Sequence, residues 1–285
     1  MIGHEGIPAL GGQPLPDRQQ LLEQWTRHLH CGFWAEPAQV DGAARDWAFA
    51  AEEMCRRLFR AAAVADGMRI LDVGCGTGGT LAALDAAFDD LSLVGVNIDP
   101  RELAVARRRL RARRGGEIEL IEGDACAMPL PDAGFDLVLA IESILLFPNR
   151  RRFFGEVRRV LRPGGSLLVV DFLPAPALRA VLAAWDVSLG KLCGLIVPQP
   201  NLRISLAAYR RLAAATGFRL HSAEDWTRET LPSYPEARRV LRRLNSNGLR
   251  VSGLLLGNAV TEWLSRAGLL RYQVLSFRDQ RGAPR

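Results

Sequence analysis

Asp72, Gly74, Gly76 and Gly79 fall at a spacing that can seat a small ligand. They lie in the stretch from Arg69 to Gly79. Ile70, Leu71 and Val73 read as a buried strand, the glycines as a turn, and Thr80 to Leu84 as the helix that the turn opens. Glycine admits positive φ and lets a ligand come close to the main chain. A carboxylate at a strand's C-terminal end suits a cationic or hydroxyl-bearing ligand better than a bare pyrophosphate. Further candidates follow at later strand ends. Asn97 and Ile98 close the run Val94 to Val96, Asp124 and Ala125 follow Gly123, and Ile141 and Glu142 close the run Phe135 to Ala140. Open α/β sheets bind ligands at the carboxyl ends of their strands, so these residues converge on one seat.

The glycines also satisfy G-x-G-x-x-G, the dinucleotide fingerprint, which is weak on its own. Three features decide against it. Dinucleotide folds usually carry an apolar residue where Asp72 stands, and a second acidic position follows at Asp124. The block from Phe153 to Gly165 closely resembles the helix, turn and fifth-strand start of small-molecule methyltransferases. The chain resembles a class I S-adenosylmethionine (SAM)-dependent methyltransferase of the natural-product O- or C-methylating type. SAM carries a sulfonium, an ammonium and a ribose but no phosphate, and S-adenosylhomocysteine is the product. The resemblance implies a role for each position. Asp72 would accept from the methionine ammonium, and Gly74 and Gly76 would run beside the amino-acid moiety. Asn97 stands where most relatives place an acid that grips the ribose hydroxyls; an amide makes that contact with less charge assistance. Asp99 could substitute only with a different turn. Ile98 would pack on the adenine face, Asp124 would meet the adenine amino group and Ala125 would offer its N–H to the ring. Ile141 and Glu142 would flank the sulfonium.

Methyl transfer needs the nucleophile held in line with the S–CH₃ bond, and positioning alone supplies much of the rate. A poorly acidic hydroxyl also needs a general base. Related O-methyltransferases often carry a histidine a few residues beyond the glutamate, but here that place holds Leu146. Three readings stay open. Glu142, Asp171 or His30 serves as base; or the nucleophile is a phenol or an electron-rich carbon, as in isoprenoid C-methylation; or SAM shapes a pocket for a cyclase that transfers nothing. A SAM-binding partner subunit without activity is a further reading. The segment His28 to Trp34 resembles a His-x-Gly-x-Trp stretch that covers the active site in related enzymes, with His30 and Trp34 at the matched positions. An isolated histidine is more often structural. Asp225-Trp226-Thr227 resembles a short segment of tocopherol-type C-methyltransferases and reads equally as a capped turn.

The elements that must position these residues follow from hydrophobic periodicity. Strands are expected at 68–73, 92–97, 117–122, 135–141, 165–171, 218–224 and 272–277, and helices near 79–88, 101–114 and 150–161. This is an α/β, doubly wound, mostly parallel seven-stranded sheet with an antiparallel last strand. Residues 1–16 read as a flexible N-terminus, and 17–285 as one domain. Within it, 17–65 forms a helical cover, and the apolar segments 174–203 and 229–268 are helical lid insertions. Their apolar faces would otherwise be extra core or a homodimer face.

At 48% hydrophobic and 24% charged residues, the composition is ordinary for a globular chain and excludes a disordered one. No apolar run is long enough to span a bilayer, and no signal peptide opens the sequence, so a cytoplasmic protein is expected. The five cysteines (Cys31, Cys55, Cys75, Cys126, Cys193) are scattered, with no C-x-x-C pair. That speaks against disulfides and a metal site, and metal independence is expected. The net charge is +6, carried almost wholly by arginine, since Lys191 is the sole lysine. The densest run, Arg107 to Arg114, reads as the solvated face of a helix. No aromatic residues interleave with it to stack bases, so no nucleic-acid partner is expected. The expected partner is a small apolar metabolite, polyketide-like or terpenoid-like.

Overall fold

Ile70 and Leu71 point to opposite faces of one sheet, and each joins a separate core. The computed structural model describes residues 28–37, 44–180, 204–243 and 249–282. After helix α1 (Ala44–Ala61) the chain alternates: β1 (Arg69–Val73), α2 (Gly79–Ala87), β2 (Ser92–Asn97), α3 (Pro100–Arg109), β3 (Glu117–Glu122), β4 (Phe135–Ile141), α4 (Arg150–Val160), β5 (Leu161–Pro174). Then come α5 (Leu206–Ala215), β6 (Phe218–Asp225), α6 (Thr227–Thr230), α7 (Ser233–Arg243), α8 (Leu249–Arg266) and β7 (Leu270–Asp279). The sheet order is β3-β2-β1-β4-β5-β7-β6. Strands β1 to β5 pair in parallel, and β7 runs antiparallel to both β5 and β6.

A sheet covered on both faces demands continuous apolar strands, which is why β4 and β5 show no polar alternation. Leu137, Leu139 and Ile141 meet α1, α2 and α3 through Met54, Leu58, Leu84 and Leu103. Val138 and Ala140 meet α4 and α5 through Phe153, Phe154 and Tyr209. The buried positions of α4, namely Phe153, Phe154, Val157 and Val160, form one stripe at helical spacing. Asn149 caps that helix by accepting from the Arg152 N–H.

Boundaries differ from expectation in three places. The helix after β2 ends at Arg109 rather than 114. There the Arg111 guanidinium donates to the carbonyls of Arg107 and Leu110, and the Arg113 N–H turns to Asp85. These side-chain and loop bonds replace further helical ones. The arginines from Arg111 to Arg114 are exposed, in a loop. Strand β5 begins at Leu161 and runs through the Pro163-Gly164-Gly165 turn as a register irregularity against Phe135 and Leu137. Strand β7 extends to Leu270–Asp279 because β5 pairs with it as far as Pro174. The N-terminal stretch 1–16, the helix around Leu21 and most of the 174–203 insertion lie outside the described residues. Among the described residues, no helix is long and apolar enough to cross a membrane.

Candidate active site

At the carboxyl edge of β1, the main chain turns sharply to leave a hollow. Gly74 and Gly76 hold φ of +79° and +54°. A Cβ on Gly74 would strike the Ser143 side chain, and one on Gly76 would lie 3.2 Å from the Leu29 side chain. Only glycine makes that turn without strain. The Gly74 N–H donates to the Val96 carbonyl at 2.7 Å, which ties the turn to the end of β2. The resulting cavity has a volume of about 310 Å³. Asp72, Gly74, Gly76, Asn97, Ile98, Asp124, Ala125 and Ile141 all line it, and so do Glu142 and His30. Among the described residues, no arginine or lysine does.

Asp72 is 2% exposed, and burial alone pushes its carboxyl up to about 7. A cation beside it would relieve that cost. Asn97 donates from Nδ2 to Glu102 Oε2 at 2.9 Å, and Glu102, on the first turn of α3, lines the same cavity. Spacing arguments passed over Glu102, although it sits one helical turn past the strand end and could have been found there. Asp99 cannot serve as the alternative, because its carboxylate caps α3 and pairs with Arg101. Asp124 uses Oδ1 to accept from the Cys126 N–H and remains exposed at the cavity rim. Ile98 is 64% exposed, an apolar surface turned to the cavity. Carboxylates, an amide and an apolar face, with no arginine or lysine among the described lining residues, fit a cationic nucleoside such as SAM and do not fit a pyrophosphate.

The acid–base candidates separate clearly. Glu142 holds a left-handed φ of +50°, a strained setting for a side chain of its size. Its Oε1 accepts from the Cys31 N–H and from the Tyr272 hydroxyl, each at 2.7 Å. Burial raises its carboxyl above the usual range, against the lowering effect of those bonds. A second cavity of about 480 Å³ lies beyond it, lined by Trp47, Phe172, Tyr234, Leu241 and Leu254 among others. Leu29, His30, Glu102 and Glu142 belong to both cavities and so form the wall between them.

Asp171 is withdrawn from the base candidates. It is fully buried away from both cavities, accepting from the Arg150 guanidinium at 3.1 Å and the Tyr209 hydroxyl at 2.6 Å. It ties β5 to α4 and α5. His30 reaches the cavity wall, but Nδ1 lies 2.8 Å from the Cys31 carbonyl and Nε2 lies 3.4 Å from Cys55 Sγ. Burial drives its pKa down to about 3, so the ring is neutral. Trp34 packs edge-on against Trp47. Asp225 accepts from the Thr227 N–H as a cap while Trp226 packs against Phe33, so that segment forms a turn. Leu146 is exposed on the cofactor cavity, where an imidazole was sought. Cysteine spacing gave no sign of what the fold assembles beside His30: His28, His30 and Cys55 bring their ligand-type atoms within 4.8 Å of one another.

A sheet of order 3-2-1-4-5-7-6 with a cation-seeking cavity at its carboxyl edge defines the class I methyltransferase architecture. A family model described as a methyltransferase domain matches residues 71–169. Methyltransferase GfsG of Streptomyces halstedii is 34% identical over 58% of this chain, and the match spans 58% of that protein. The 27-O-demethylrifamycin SV methyltransferase of Amycolatopsis mediterranei (strain S699) is 32% identical over 81% of each chain. Among solved structures, the [4+2]-cyclase SpnF superposes with a TM-score of 0.69 at 23% identity, covering 94% of this chain and 96% of that one. The chain belongs to the SAM-dependent methyltransferases, and SAM is its cosubstrate.

Proposed function

We propose that the protein methylates a hydroxyl oxygen of a small, largely apolar secondary metabolite. The observation that carries this is the pair of cavities meeting at Glu142, one bearing the carboxylates of Asp72, Glu102 and Asp124 with the Asn97 amide, the other mostly apolar. SAM supplies an electrophilic methyl on its sulfonium. Asp72 takes the ammonium, Asn97 with Glu102 takes the ribose hydroxyls, and Ile98, Asp124 and Ala125 take the adenine. Helices α7 and α8 supply Tyr234, Ala237, Leu241 and Leu254 to the second cavity and act as its lid, excluding water from the acceptor. Glu142, with its raised pKa, stands at the meeting point and receives the hydroxyl proton. The Cys31 N–H and the Tyr272 hydroxyl fix its orientation. The rifamycin relative, an O-demethyl substrate's methyltransferase by name, supports oxygen as the acceptor.

Incubation with methyl-labelled SAM and a panel of hydroxylated polyketides and terpenoids tests the proposal. A labelled methyl ether, located by NMR, is expected. Label on carbon would replace it with C-methylation. Products that change without taking up label would replace it with a cyclase, a reading that the exposed Leu146 in place of an imidazole keeps in view.

A further inference from the structure

His28 and His30 flank Leu29, and both rings turn inward on one side of the chain. They are 2% and 6% exposed, while Leu29 between them is 41% exposed and faces the cavities. The two ring centroids are 4.8 Å apart. Cys55, from the middle of α1, meets them. Its Sγ lies 3.6 Å from His28 Nδ1 and 3.4 Å from His30 Nε2. The outer nitrogens are engaged elsewhere. His28 Nε2 lies 2.9 Å from Glu52 Oε1, and His30 Nδ1 lies 2.8 Å from the Cys31 carbonyl. A carboxylate or a carbonyl only accepts, so these outer nitrogens carry the hydrogens. The nitrogens turned on the sulfur are the ones with lone pairs to give.

Metal-ligating histidines have this arrangement: one nitrogen on the ion, the other N–H on a carboxylate or a backbone carbonyl. The two sulfur–nitrogen separations also fit. Zinc–sulfur bonds of about 2.3 Å and zinc–nitrogen bonds of about 2.0–2.1 Å at a tetrahedral angle place sulfur and nitrogen about 3.5 Å apart. The two observed separations, 3.6 and 3.4 Å, bracket that value. A thiol has one proton and serves one nitrogen at a time, whereas a cation serves all three ligands together. We propose that His28, His30 and Cys55 bind one Zn²⁺ ion, which clips the segment 28–34 to α1 at the wall of the cofactor cavity. Thiolate and imidazole select such a borderline-soft ion over Mg²⁺ or Ca²⁺. On loading, the Cys55 S–H bond breaks, its proton goes to solvent, a Zn–S bond forms and nothing is oxidised or reduced. The fourth position is left to water, as in other sites with three protein ligands. The clip does not depend on which acceptor is methylated. It stiffens the segment whose Cys31 N–H holds Glu142.

The test uses the full chain, reduced and stripped with a chelator, then titrated with Co²⁺ alone and with Zn²⁺ against a chromophoric competitor. One equivalent should bind, and Co²⁺ should give a thiolate charge-transfer band in the near ultraviolet. Cys55→Ser should abolish the band and weaken Zn²⁺ binding at least hundredfold. Glu52→Ala leaves all three ligands in place and should weaken binding about tenfold to hundredfold by removing the acceptor that holds the His28 ring. Failure of the wild type to bind one equivalent overturns the proposal. So does an unchanged band in Cys55→Ser, which would place the metal on another cysteine. If Cys55→Ser does not fold, Glu52→Ala decides, and wild-type affinity in that variant overturns the proposal.

Discussion

With Asp72 as the proposed partner of the SAM ammonium, SAM affinity is expected to be proton-coupled. The Asp72 carboxyl sits at about 7 in the folded protein against a reference value of 3.8, and burial is the cause. The folded apoprotein therefore holds a proton that the unfolded chain has lost between those two values. Stability contributed by this group falls as pH rises from about 4 to about 7 and is level above, a total of about 4 kcal/mol at 1.36 kcal/mol per unit. A cationic ligand reverses the preference, because the ammonium needs the ionised carboxylate. Below pH 7 each binding event must release a proton, and the observed Kd should scale as one plus the ratio of protonated to ionised Asp72. That ratio predicts SAM binding about fivefold weaker at pH 6 than at pH 7, and about fiftyfold weaker at pH 5. Isothermal titration in buffers of different ionisation enthalpy reads both the Kd and the proton. Asp72→Asn should bind weakly at every pH, without release. Equal pH dependence in the wild type and Asp72→Asn, or no proton released by the wild type at pH 6, would refute the reasoning.

Other perturbations separate the remaining roles. Glu142→Gln should lower kcat by about a hundredfold or more while SAM affinity, read by titration, changes little; unchanged turnover would remove Glu142 as the base. Asn97→Asp, which restores the common ribose acid, should here weaken SAM binding about tenfold, because a carboxylate would face Glu102. The double variant Asn97→Asp with Glu102→Gln should recover most of that loss, and a failure to recover would break the proposed pairing. Arg150→Met strands a buried Asp171 and should cost about 3–5 kcal/mol in denaturant unfolding. Phe154→Ala, with Tyr209, Phe218 and Phe277 around the lost ring, should cost about 3–5 kcal/mol by the same measurement.

The gathering of Asp72, Asn97, Asp124 and Ile141 around one cavity was legible because strand ends are local features. Asp72, Asn97 and Ile141 each follow an apolar run, Asp124 follows the alternating strand Glu117–Glu122, and the parallel topology carries all such ends to one edge. Glu102 was missed because its claim to the site comes from a helix turn rather than a strand end. Asp171 misled for the opposite reason. It ends an apolar run like the others, yet β5 continues past it to Pro174, so its carboxylate stays inside the molecule and meets Arg150. The helix after β2 was drawn too long because arginines propagate helices as well as they end them. What stopped it was the Arg111 guanidinium reaching back to carbonyls. The histidine–cysteine cluster joins residues 25 and 27 positions apart, across a join that no spacing rule covers.

The order β5-β7-β6 has a consequence for synthesis. Strand β6 touches the sheet only through β7, and α6, α7 and α8 are strung between those two strands. While the chain is being made, β6 emerges with no partner strand, and β5 waits as a raw edge on the side that β7 will take. The arrival of Leu270–Asp279 closes both gaps at once. The sheet therefore acquires its last two strands in a single late event. Until that strand leaves the ribosome, β5 keeps an open edge and β6 has nothing to pair with.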